Sequence, residues 1–107
     1  MELSVLAVPD CPNAPLLEQR LAEALAGRTN VNITRHVVAS ETDAAKLGMH
    51  GSPTLLVNGQ DPFSPPGAAT ALACRRYDNG AGLVEGAPTV AALRQVLEQA
   101  TGRHPGG

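Results

Sequence analysis

Aromatic residues are nearly missing from this chain: Phe63 and Tyr77 stand alone among 107 residues, and there is no tryptophan. Base-stacking platforms for single-stranded nucleic acid are therefore excluded, and the core must be built from Leu, Val and Ala. Runs of basic residues are missing as well. Eight Lys and Arg against 10 Asp and Glu leave a net charge of −2, so neither nucleic acid nor a membrane surface is expected as a partner. No stretch approaches the ~18 consecutive apolar residues of a transmembrane helix. The N-terminus opens on Glu2 without a basic segment or a long apolar one, so it does not read as a secretory signal, and a cytoplasmic location is expected. Cysteine is scarce too. Cys11 and Cys74 are too few for a disulfide scaffold, and with three histidines they form no recognisable zinc spacing, so no metal and no cofactor is expected.

What is there is the composition of one globular domain, with 43% hydrophobic and 17% charged residues. The order of elements reads β-α-β-α-β-β-α, an α/β fold. Leu3 to Val8 is an apolar run of the kind found in strands buried on both faces. Pro9-Asp10-Cys11-Pro12 stops it, with Pro12 suited to the first turn of a helix. Leu17, Leu21, Ala24 and Leu25 then share a helical face, and Gly27 ends it. Val31 to Val38 is a second strand, parallel to the first through a right-handed crossover. Ser40 caps a short helix over Glu41–Leu47, closed by Gly48. Thr54 to Val57 is a strand ending at the Asn58-Gly59 turn signal, and Asp61 to Ala69, rich in proline, is a loop. Ala71 to Tyr77 reads as one further strand, antiparallel because its link is short. Asp78 to Gly82 turns the chain. A last helix follows Pro88, with Val90, Leu93, Leu97 and Ala100 on its face. The domain is expected to cover residues 1–101, leaving 102–107 as a disordered tail.

The sharpest chemical feature is Cys11. It falls where the first strand hands over to the first helix, at the edge where open α/β sheets place their ligands. A helix N-terminus favours a thiolate, and the negative charge of Asp10 opposes it. The bland alternative is a buried, inert cysteine.

The element order, with Cys11 after the first strand and Ser52-Pro53-Thr54 entering the third, resembles the thioredoxin fold over roughly residues 1 to 101. The resemblance implies a three-layer α/β/α arrangement around a mixed four-stranded sheet, with Pro53 cis and packed beside Cys11. One departure matters. Thioredoxins carry Cys-x-x-Cys, and here the run is Cys11-Pro12-Asn13-Ala14, so Ala14 holds the place of the second thiol. A local disulfide cannot close, which leaves monothiol chemistry or pairing with Cys74.

Val8-Pro9-Asp10-Cys11-Pro12-Asn13, Leu47-Gly48-Met49-His50-Gly51-Ser52-Pro53-Thr54, the stretch Val57 to Phe63 and Cys74-Arg75-Arg76-Tyr77 are similar to small actinobacterial thioredoxin-family proteins often labelled alkylmercury lyase family. That label implies protonolysis of a carbon–mercury bond, which needs two thiolates and an acid. Cys11, Cys74 and Asp10 supply those residue types, and nothing in their spacing places them together.

Three residues at about 3.3 Å each separate Cys74 from Tyr77, which leaves it some 10 Å from Cys11 unless the proline-rich loop redirects the chain. It is either a resolving thiol or, more blandly, a buried strand cysteine. Of Arg75 and Arg76, at most one serves a site, because neighbours on a strand point to opposite faces. His50 stands three residues before Pro53, where it can act as base or proton donor, or be an ordinary loop histidine. His36 and His104 are structural or solvent-exposed by default.

The expected catalytic set is Cys11, Cys74 and Pro53. Pro12, Asn13, Ser52 and His50 are expected to touch the substrate, a protein or low-molecular-weight thiol or disulfide. The competing class is a non-catalytic thioredoxin-fold module that binds a partner or a metal, with an exposed Phe63 on the proline-rich loop as its contact surface.

Overall fold

A computed structural model of the chain describes residues 1–65 and 67–102. Strand β1 (Glu2–Ala7) is central: Leu3, Val5 and Ala7 are buried on one face and Leu6 on the other. β2 (Asn32–Val37) pairs with it in parallel through the crossover helix α1 (Ala14–Ala24), and β4 (Thr54–Val57) pairs antiparallel on the other side. Leu3 and Val5 point to one face, where Leu17 and Leu21 of α1, Leu55 of β4, and Leu93 and Leu97 of α3 (Val90–Gly102) close over them. Leu6 points to the opposite face and meets Val38, Ala44 of α2 (Glu41–Leu47) and Met49. Helices thus cover both faces of a mixed sheet. Each fully buried leucine contributes about 1.5–3 kcal/mol, so these two layers supply most of the drive to fold.

Local signals set the boundaries. The Ser40 hydroxyl accepts the Asp43 amide at 3.1 Å, and Gly48 ends α2 in the left-handed region at φ 82°. The Asn58-Gly59 turn closes with reciprocal backbone bonds between Val57 and Gln60.

The structure departs from expectation beyond Asn58. Among the described residues the sheet has three strands, in the order β2-β1-β4, where four are expected. The stretch Ala71 to Tyr77 is not one strand. β5 (Ala71–Cys74) pairs in parallel, not antiparallel, with β3 (His50–Ser52), a short strand where the sequence predicts a loop. The long loop after Asn58 returns the chain to the start of β3, which makes parallel pairing possible. Strand pairing stops after Cys74 and resumes, with a different partner, at Tyr77. β6 (Tyr77–Asp78) and β7 (Val84–Glu85) form a separate hairpin around the expected turn. Helix α3 runs to Gly102, one residue past the expected domain boundary; the remainder of the expected tail, 103–107, lies outside the described residues. No helix among the described residues is long and apolar enough to cross a membrane.

Candidate functional site: the Cys11 turn and its cleft

After β1 the chain turns sharply. Asp10 adopts a left-handed conformation at φ 59°, which Asp tolerates better than most residues. The Cys11 amide donates back to the Val8 carbonyl at 3.2 Å, and the Cys11 carbonyl accepts the Ala14 amide at 3.3 Å. Cys11 therefore precedes the helix rather than sitting inside its first turn. Asn13 is the N-cap, without a side-chain capping bond, and Pro15 rather than Pro12 takes the first-turn position, leaving Pro12 exposed. Asn13 instead lies flat on Gly86: a Cβ there would come within 2.2 Å of the Asn13 Cγ. Only glycine permits that approach, and it fastens the chain before α3 to the Cys11 turn.

Cys11 is buried, with 8% of its surface exposed. Its turn is tied to the Pro53 loop. The Val8 amide donates to the Ser52 hydroxyl at 3.0 Å, and the Ser52–Pro53 peptide is cis. The Pro53 carbonyl accepts the Tyr77 hydroxyl at 2.6 Å. Burial, above all, pushes that hydroxyl above its ordinary value; Arg75 pulls it down, and the charges of Asp61 and Cys11 push it up further. A chain of contacts thus runs from the Cys11 turn through Val8, Ser52 and Pro53 to Tyr77.

Tyr77 is held from behind. The Arg75 guanidinium lies 4.5 Å from its ring centroid and pairs with Asp61 at 2.6 Å, with both side chains almost fully buried. The same guanidinium donates to the Ser64 hydroxyl at 2.9 Å and to the Thr54 hydroxyl at 3.2 Å. Phe63 packs edge-on against Tyr77, with ring centroids 5.7 Å apart. It is half-buried and so is not the exposed contact surface that was expected. Arg75 is likewise committed to the interior, and Arg76 is exposed.

On the other side of Cys11 a cleft of about 220 Å³ opens between α1 and the edge strand β2. Val5, Ala7 and Val37 line it beneath Ala14 and Pro15, with Asp10, Glu18, Arg35 and His36 among the remaining walls. Glu18 and Arg35 form an ion pair. No sequence signal marked this cleft, because it exists only where α1 fails to cover β2.

The Val8–Ser52 bond thus joins the Cys11 turn to the Pro53 loop, and β3, which carries His50 and Ser52, pairs with the strand that carries Cys74. Cys74 is exposed on β5, not buried, and both cysteines are free thiols. Its backbone lies in register with Ser52. The His50 ring donates from Nδ1 to the Ala69 carbonyl at 3.1 Å, which anchors the loop ahead of β5. Among the described residues no group of three or more His, Cys, Asp or Glu is placed to hold a metal ion. Comparison with protein-family models, curated proteins and solved structures gave no match.

Proposed function

We propose that this chain is a thioredoxin-like thiol protein in which Cys11 is the nucleophile of thiol–disulfide exchange. The observation that carries the reading is the position of Cys11: at the carboxyl end of the central strand, on the wall of a cleft, in a turn tied through Ser52 to Pro53. The parallel β1-α1-β2 unit, the antiparallel β4 and the helices on both faces are consistent with such a fold. In the reaction, the Cys11 thiolate attacks one sulfur of a disulfide. A Cys11–sulfur bond forms, the substrate S–S bond breaks, and the departing thiolate takes the electron pair and a proton from water. With Ala14 in place of a second thiol and Cys74 exposed on β5, an outside low-molecular-weight thiol resolves the mixed disulfide and regenerates Cys11.

The test is turnover of bis(2-hydroxyethyl) disulfide with a small thiol as reductant. The intact chain accelerates the exchange, and Cys11→Ser abolishes the acceleration. If the intact chain gives no rate above the uncatalysed exchange, or if Cys11→Ser matches it, the chain is a non-catalytic binding module instead.

A further inference from the structure

Resting on the assignment of Cys11 as nucleophile, we infer that its substrate is a small, uncharged, apolar disulfide that enters through the cleft between α1 and β2, rather than a protein disulfide or a large anionic one. Three features converge on this. The thiol is more than nine-tenths buried, and no hydrogen-bond partner for it occurs among the described residues. A protein disulfide, held in a folded surface, cannot reach a sulfur so enclosed without displacing the turn.

Size is the second feature. An apolar cavity of about 150 Å³ takes up benzene, and pockets for drug-sized ligands start at about 300 Å³. At about 220 Å³ this cleft lies between the two, large enough for a short dialkyl disulfide and too small for a tripeptide on each sulfur.

Charge is the third. Val5, Ala7, Val37 and Pro15 offer apolar contact, and among the described lining residues the one arginine, Arg35, is paired with Glu18, with His36 beside it. Asp10 adds a negative charge beside Cys11. An anionic substrate meets the carboxylates of Asp10 and Glu18, with the paired Arg35 and His36 as the cationic side chains among the described lining residues, and like-charge juxtaposition is costly. A neutral apolar one loses nothing on entering.

The experiment uses a Cys74→Ser chain, so that one thiol remains, and follows mixed-disulfide formation by intact mass. Diethyl disulfide is compared with glutathione disulfide, in the folded protein and again in urea. Relative to the ratio in urea, the folded chain favours diethyl disulfide by about ten-fold or more. Ala14→Leu, which fills the cleft, removes that preference, and so does Val37→Glu, which charges an exposed position of its wall. Equal or faster reaction with glutathione disulfide overturns the inference, as does a preference unchanged in both variants. Reaction of Cys11 with neither reagent while folded removes the nucleophile assignment itself, and the inference falls with it. Reaction without selectivity leaves that assignment standing and rejects only the small-substrate inference.

Discussion

Up to Asn58 the chain is held by leucines and valines stacked in two layers, with Leu3, Leu17, Leu21 and Leu55 fully enclosed. Between Asn58 and Thr89 the strands are two to four residues long, and the ties are polar. Arg75 holds Asp61, Ser64 and Thr54; Arg20 reaches from α1 to Glu85 and to the carbonyls of Ala87 and Pro88. Apolar layers tolerate volume-conserving exchange and carry much of the stability. Buried polar ties contribute little net stability when complete, and are costly when half-broken. The site lies on the boundary between the two regions, with Cys11 on the apolar side and Tyr77 on the polar one.

The largest effect is expected from Asp61→Ala. It leaves the Arg75 guanidinium buried without its carboxylate and frees the Phe63 amide that Asp61 caps at 2.8 Å, a loss of about 3–5 kcal/mol. Leu17→Ala, in the apolar layer, is expected to cost about 2–5 kcal/mol. The informative contrast is the double change Asp61→Leu with Arg75→Met, which regains much of the loss because no charge remains unpaired. Urea unfolding checks this. Far-ultraviolet circular dichroism reports the helices and tyrosine absorbance reports Tyr77. Because Phe63 and Ala87 pack into the α1–α3 layer, the two probes are expected to move together. Separate transitions would show that the polar region unfolds by itself.

The same contrast explains what was legible in the sequence. Leu17, Leu21, Leu93 and Leu97 announce their helices by spacing, and Ser40 and Gly48 mark the ends of α2. Such signals are local, and the structure keeps them. The Arg75–Asp61 pair has no local signature, since a carboxylate in a proline-rich loop and an arginine on the stretch after it show no link until the fold brings them together. The pairing of Ala71–Cys74 with β3 has no local signature either, because it joins residues some twenty positions apart. Cys11 was legible as the chemical residue from its place after β1. Its cleft was not, because the cleft depends on the angle at which α1 crosses β2.

Tyr77 gives a smaller and cleaner effect. Tyr77→Phe leaves the Pro53 carbonyl without its donor and is expected to cost about 1–3 kcal/mol, less than Asp61→Ala. The wild-type chain also tests it without mutation, since Tyr77 is the only tyrosine and no tryptophan interferes. Its hydroxyl loses protons less readily in the folded chain than its ordinary value of 10.0 allows. The unfolded chain therefore releases that proton first as pH rises. The stabilisation is complete below pH 10 and declines as pH climbs above it. Tyrosinate absorbance is expected near pH 10 in urea, and only at higher pH in the folded protein. Tyrosinate at pH 10 without unfolding would mean that the hydroxyl is not sealed against Pro53.

The smallest effect is expected at Glu85, where the polar region meets α1. The Arg20 hydrogen bond, chiefly, and then that of Asn79 hold its carboxyl below the usual value of 4.5. The sign is opposite to that of Tyr77. The contribution is present above pH 4.5 and is lost as pH falls through the lower folded value. Glu85→Gln is therefore expected to be slightly less stable than wild type at neutral pH, with the gap closing on acidification. Salt narrows the gap as well, because this pair is far more exposed to solvent than Arg75–Asp61. A gap that is independent of both pH and salt would mean that the Glu85 charge contributes nothing, and would leave the Arg20 bonds to the Ala87 and Pro88 carbonyls as what joins α1 to the hairpin.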